Sequence, residues 1–156
     1  MKNKNINFKN VDNEADAILC DSLLTKLISS ERKFDENVKP TYIVKDLYTK
    51  KYFQNFNCLI LAVDGENPIG FIFGYMKFEA GEFCYNSTGF VDALFVEKEY
   101  RNNGIATSLT NLFVDWCKTK GIKEIEIGVF IDNKSAYKLY ESLNFIPKTI
   151  YLKKEI

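Results

Sequence analysis

The chain has 156 residues, 46% hydrophobic and 27% charged, which suits one globular domain with its own core, residues 1–156. Its 21 basic and 21 acidic side chains cancel to a formal charge of zero, which argues against nucleic acid as the main partner. No apolar run of about 18 residues occurs and no apolar stretch follows the basic start Met1–Ile6, so neither a membrane span nor a signal peptide is expected, and the expected location is the cytoplasm.

Histidine is absent. That excludes Ser-His-Asp and Cys-His catalysis and a zinc site of the H-E-x-x-H kind, so any proton transfer falls to Asp, Glu, Tyr, Lys, Cys or water. Cys20, Cys58, Cys84 and Cys117 are scattered, with no C-x-x-C pair, and read as small buried hydrophobes rather than metal ligands.

In chain order, Ile6–Phe8 reads as a short strand. Asp12 is placed to cap a helix whose apolar rows are Ala15, Leu19, Leu23, Leu27 and Ile18, Leu24, Ile28, ending near Ser29–Ser30. Glu31–Lys39 is a polar loop. Pro40 and the aromatic spacing of Tyr42, Tyr48, Tyr52, Phe53 and Phe56 predict a second helix over 42–56, either packed on a sheet or walling an acceptor pocket. Cys58–Val63 and Ile69–Phe78 are strands around an Asp64-Gly65 hairpin turn. Gly70 and Gly74 inside the second strand point to a bulge or a close approach. Glu79–Thr88 reads as an irregular loop, with Glu82–Tyr85 as possible added strand, and Phe90–Val96 as a central strand.

After that strand, Ile105, Leu109, Leu112, Phe113 and Trp116 share one face of a helix that ends at Gly121. Lys123–Val129 is a strand. Asp132 or Asn133 caps a last helix carrying Ala136, Leu139, Tyr140 and Leu143, which Asn144 ends in the left-handed conformation, and Ile150–Leu152 is a final strand. A hairpin followed by a strand–helix–strand crossover makes a mixed α/β fold of the α+β kind.

Three features carry chemistry. Arg101-Asn-Asn-Gly104-Ile-Ala106 lies between a strand and an amphipathic helix, where free N–H groups and the helix dipole welcome an anion; the same residues could also be a tight connection and nothing more. It is neither a P-loop nor a full G-x-G-x-x-G fingerprint. Asp92 is the only charge in its apolar strand. Tyr140 lies on the apolar face of the last helix.

Val96–Leu109 resembles motif A of the GNAT superfamily of acetyl-CoA-dependent N-acetyltransferases, with its Q/R-x-x-G-x-G/A loop. Val129-x-x-x-Asn133-x-x-Ala136-x-x-x-Tyr140-Glu-x-x-Asn144-Phe145 is similar to motif B. The resemblance is good from about Cys58 to Phe145 and looser before it. Asn102 and Asn144 stand where the family often has glycine, and asparagine tolerates the left-handed conformation.

The resemblance implies a GNAT fold, with a mostly antiparallel sheet of six to seven strands splayed at the cofactor site. It implies acetyl-CoA as co-substrate. Backbone N–H groups of Arg101, Asn102, Asn103, Gly104, Ile105 and Ala106, with the Thr107 hydroxyl, would hold its pyrophosphate. The pantetheine arm would lie along Leu94, Phe95 and Val96 and meet Asn133, whose other reading is a helix N-cap. A strand N–H of Phe95 or Val96 would hold the oxyanion. Tyr140 matches the usual general acid, against the alternative of a core tyrosine. Asp92 matches a carboxylate that contacts the amine or helps to deprotonate it, against the alternative of a structural salt bridge. No metal is implied.

The implied reaction is acetyl transfer to a primary amine of a small molecule, such as an aminoglycoside, polyamine or amino-acid derivative, by direct attack in a ternary complex. The acidic side chains of Asp35, Glu36, Asp46, Glu79 and Glu82 suit a cationic acceptor, or are simply an exposed acidic surface. The alternatives are a non-catalytic acyl-CoA sensor and a protein N-terminal or lysine acetyltransferase. Family members are often dimers, so a homodimer is possible.

Overall fold

A computed structural model describes residues 5–81 and 84–156, and side chains everywhere in these ranges except 79–86. One five-stranded sheet runs through it in the order β1 (Ile6–Asn10), β2 (Asn57–Asp64), β3 (Asn67–Gly81), β4 (Cys84–Val96) and β5 (Glu124–Ile127). The first three pairings are antiparallel, and β4 with β5 is parallel. Helix α1 (Glu14–Glu31) covers one face, and α2 (Ile105–Thr119) covers the other as the crossover between β4 and β5. Helix α3 (Lys134–Ser142) follows β5.

Strand alternation divides the core in two. Leu59, Leu61, Val63, Phe71 and Phe73 face α1, while Cys58, Ile60, Ala62 and Ile72 face Ile105, Leu109, Phe113 and Cys117 of α2. Gly65 takes a positive φ of 62° in the β2–β3 turn, as the Asp-Gly pair requires. Gly121 and Asn144 end α2 and α3 at φ 70° and 65°.

Several sequence expectations are corrected. The sheet has five strands among the described residues, not six to seven. Ile150–Leu152 forms no strand: the segment has strand-forming side chains, but no ladder partner joins it, and Ile150, Tyr151 and Leu152 are exposed. The expected loop at 79–88 is instead where β3 and β4 pair, from Phe78↔Ser87 to Gly81↔Cys84; Glu82 and Phe83 lie outside the described residues. The strand expected over Lys123–Val129 is shorter, and Asn13 rather than Asp12 caps α1, its side chain accepting from the Asp16 N–H.

No helix forms over 42–56. The α1 side chains Asp21 and Thr25 take the segment's N–H groups: Tyr48 donates to Asp21 Oδ1 at 2.9 Å, and Val44 to Thr25 Oγ1 at 3.0 Å. Asp46, at φ 55°, breaks any helical run. The segment crosses α1 as a pinned coil, with Val44 and Tyr48 inserted into the core. The buried stripe of α1 also differs from the expected rows. Asp16, Ala17, Cys20, Asp21, Leu23 and Leu24 are buried, while Ala15 and Ile18 are exposed. Asp16 is paired with Lys9 at 2.8 Å and Asp21 with backbone, so two acidic residues belong to the inward face.

Candidate active site

The site forms where β4 outlasts β5. The parallel ladder runs from Thr88↔Glu124 to Val91↔Ile127 and stops, while β4 continues to Val96. Residues 92–96 therefore have β3 on one side and an open edge on the other. The Glu97 N–H donates to the Ile69 carbonyl of β3 at 2.8 Å. Peptide directions alternate along a strand, so the N–H of Phe95 also turns to β3, and those of Val96 and Leu94 turn to the open edge. Val96 and Phe95 are buried on opposite faces, and Leu94 is half-buried.

Asp92 lies at a bulge. Phe73 pairs with Ala93 and Gly74 with Val91, which leaves Asp92 as the extra residue of β4. The insertion resets the alternation: Val91 joins the core under α2, and Ala93, two residues on, joins the core under α1. Gly74 sits opposite the bulge; a Cβ there would lie 2.4 Å from the Phe113 ring of α2, so this glycine provides the expected close approach. The carboxylate of Asp92 is exposed rather than buried, which corrects the expectation from its apolar neighbours. Surrounding protein atoms still disfavour its charge and raise its pKa, with Lys51 opposing the shift. Glu31, the last residue of α1, is raised by burial and by the nearby charges of Asp35 and Asp92.

The anion cradle begins one turn beyond β4. A 3-10 turn, Lys98–Tyr100, leads into it, held by the Tyr100 hydroxyl donating to Asp64 Oδ2 at 2.9 Å. Asn102 and Gly104 both take positive φ, 61° and 73°, so the loop folds into a concavity of backbone amides. Residues 101–104 are exposed, and no side chain caps α2 at Gly104. The first helical bond from this end runs from Ser108 N–H to the Gly104 carbonyl, which leaves the amides of Ile105, Ala106 and Thr107 at the helix mouth. Two side chains shape the loop and turn away from its mouth. Arg101 Nε donates to the Val96 carbonyl at 2.9 Å, and Asn103 Nδ2 to the carbonyls of Tyr100 and Arg101 at 3.1 and 2.8 Å. Ile105 is a core residue, Ala106 packs beside it, and Thr107 is half-buried.

Asn133 does cap α3: its Oδ1 accepts from the Ala136 N–H at 3.2 Å. The Tyr140 ring is buried and meets Phe145 edge-on at 5.6 Å. Burial pushes its phenol pKa up, so the hydroxyl keeps its proton at neutral pH. Phe34, after α1, stacks on Phe130, after β5, at 5.9 Å, which ties the loop following Glu31 to the far side of the open edge. Sequence reasoning places Tyr48 within a segment either packed on the sheet or walling an acceptor pocket, and assigns no individual role to it or to Glu31; nothing local to either shows that β4 has a bulge at Asp92.

An amide concavity at a helix mouth, continuous with a strand edge that has lost its neighbour, fits an extended cofactor bearing a pyrophosphate. The acetyltransferase (GNAT) family model matches residues 24–145, and the chain belongs to that family. It is an acetyl-CoA-dependent N-acetyltransferase. N-alpha-acetyltransferase 30 of Schizosaccharomyces pombe is 32% identical over 111 residues, which cover 66% of this chain and 72% of that protein. Aminoglycoside N(6')-acetyltransferase type 1 of Acinetobacter baumannii is 27% identical over 101 residues, 63% of this chain and 69% of that one. Among solved structures, the aminoglycoside N-acetyltransferase AAC(6')-Iy in complex with CoA superposes with a TM-score of 0.70 at 17% identity, covering 97% of this chain and 100% of that chain. No helix among the described residues is long and apolar enough to cross a membrane.

Proposed function

We propose that the chain acetylates the primary amine of a small cationic molecule, of the aminoglycoside, polyamine or amino-acid class, by direct attack in a ternary complex. The observation that carries this is the placement of Asp92, exposed on the strand bulge at the open edge, with Glu31 a second carboxylate within reach of its charge. An alkylammonium is held by such a pair, and with a pKa near about 10 it must be deprotonated before it can attack.

The residues divide the work as follows. The amides of Arg101 to Thr107, with the Thr107 hydroxyl, hold the pyrophosphate. The open edge at Leu94 and Val96 receives the pantetheine arm, and the Asn133 side-chain amide, whose oxygen is committed to its cap, has its nitrogen left to donate. The Val96 N–H, turned to that edge, is the oxyanion donor; the Phe95 N–H, turned to β3, is not. Asp92 accepts the amine's proton directly or through water. Tyr140 donates its proton to the departing thiolate. Burial raises the thiol pKa of Cys58 to about 12 and of Cys117 to about 11, and Cys20 is pushed higher, so none of these three is a ready nucleophile and direct attack is favoured over an acyl-enzyme.

A peptide α-amine is the second reading, favoured by the 32% identity to N-alpha-acetyltransferase 30. A thiol-release assay with acetyl-CoA, run against diamines, aminoglycosides, amino-acid amides and short peptides with free N-termini, separates the two. Turnover on peptides alone would replace the small-molecule reading.

A further inference from the structure

Tyr48 has no part in the reaction as described above, and its setting asks for one. The side chain is fully buried, its ring tilted on Phe73 at 4.8 Å and edge-on to Phe71 at 5.6 Å. Its hydroxyl is enclosed and has no hydrogen-bond partner among the described residues. A buried phenol O–H without an acceptor is destabilising, and a core position that needed only bulk would be served better by phenylalanine.

Among the described residues, the titratable groups whose charges act on the hydroxyl are Asp92, Cys20 and Asp21, Asp92 first among them after burial itself. Cys20 is a protonated thiol, a weak acceptor. Asp21 already accepts the backbone N–H of Tyr48 on Oδ1, and the backbone amides of Leu47 and Asp46 also act on it. Asp92 is the group with the strongest charge effect on the hydroxyl. The β3–β4 register explains why it is in place: Phe73, on which the Tyr48 ring lies, pairs with Ala93, and Asp92 is the bulged residue beside that pair. The other charges facing Asp92 are Lys51, whose ammonium lies 5.5 Å from the Phe73 ring centroid, and Glu31.

We propose that Tyr48 is a positioning residue for Asp92, its hydroxyl donating to the carboxylate when the amine occupies the site and fixing the oxygen that receives the proton. This rests on Asp92 being the proton acceptor. The donor also favours the charged carboxylate, so Tyr48 and Lys51 together oppose the desolvation that pushes Asp92 toward its neutral form.

The test is Tyr48→Phe, beside Asp92→Asn and the double variant, using the full chain, acetyl-CoA and the best amine from the thiol-release panel. Tyr48→Phe keeps the ring on Phe71 and Phe73 and removes only the unpaired oxygen, so its melting temperature should equal or exceed that of the parent. The acidic limb of its kcat profile, which reports the amine-bound enzyme, should move up by about one pH unit, the size expected for losing one hydrogen bond to a charged group. kcat should drop about fivefold at the midpoint of the parent's limb while KM for acetyl-CoA stays the same. In the Asp92→Asn background, Tyr48→Phe should change nothing further. A parental pH profile and rate in Tyr48→Phe would overturn the proposal, as would loss of folding, which would make the hydroxyl structural. If Asp92→Asn itself keeps the parental profile, the role of Asp92 fails first and that of Tyr48 with it.

Discussion

Asp21 of α1 accepts the backbone N–H of Tyr48 at 2.9 Å, in a position where both residues are buried. With the Val44 N–H bond to Thr25 and the positive φ of Asp46, this bond holds an aromatic segment of helical spacing as a coil. Replacing Asp21 with leucine should strand the Tyr48 N–H and destabilise the chain by about 1–3 kcal/mol. Denaturant midpoints would show the loss. In the folded fraction KM for the amine should rise and KM for acetyl-CoA should stay level, because the pinned segment lies on the amine's side of β4; equal changes in both would refute that placement.

Gly104 and Gly74 should respond differently to alanine. Gly104 has φ 73° and open space around a Cβ, so Gly104→Ala carries only backbone strain, about 1 kcal/mol, together with weaker acetyl-CoA binding as the cradle shifts. Gly74→Ala drives a methyl to 2.4 Å from the Phe113 ring and should cost about 1–3 kcal/mol in stability by overpacking, with little change in CoA affinity for the molecules that fold. Calorimetric CoA titration and thermal melts on both variants would separate the two effects.

The pH dependence follows from Asp92. Its pKa is raised, chiefly by desolvation, and it must be a carboxylate to accept a proton. kcat/KM should therefore climb with pH through a limb lying above the ordinary aspartate value of about 3.9. Asp92→Asn should abolish that limb and lower the plateau by roughly a hundredfold. A limb that persists in Asp92→Asn would assign the proton acceptor elsewhere, with Glu31 the next carboxylate to test.

Tyr140→Phe should lower kcat by roughly a hundredfold and leave CoA affinity and the melting temperature close to parental, because the ring still packs on Phe145. Burial raises the phenol pKa, so the parent should show no alkaline loss of activity from this residue below about 10. An unchanged kcat would make Tyr140 a core tyrosine and nothing more.

What was legible in the chain alone was what neighbouring residues settle among themselves. Gly104 before an amphipathic run announces a positive φ and a helix mouth. Asn133 three residues before Ala136 announces a cap, and Asn144 a left-handed stop. Each was found in the structure because its physics spans no more than one helical turn. The loop at 101–107 proposed to hold the cofactor is of this kind, which is why its turn into a helix mouth could be read directly.

Tertiary structure alone decided the acceptor half. That Asp92 is exposed depends on a bulge set by the register of β3 against β4, and that the Val96 N–H is available depends on where β5 stops. The segment 42–56 is a coil because two α1 side chains, some twenty residues back, capture its amides. Apolar counting also misplaced Ala15 and Ile18 of α1 and left out Asp16 and Asp21, which lie on the buried face with partners that only the fold supplies. Periodicity records which side chains prefer to leave water; it carries no information about which distant backbone group or side chain will meet them when they do.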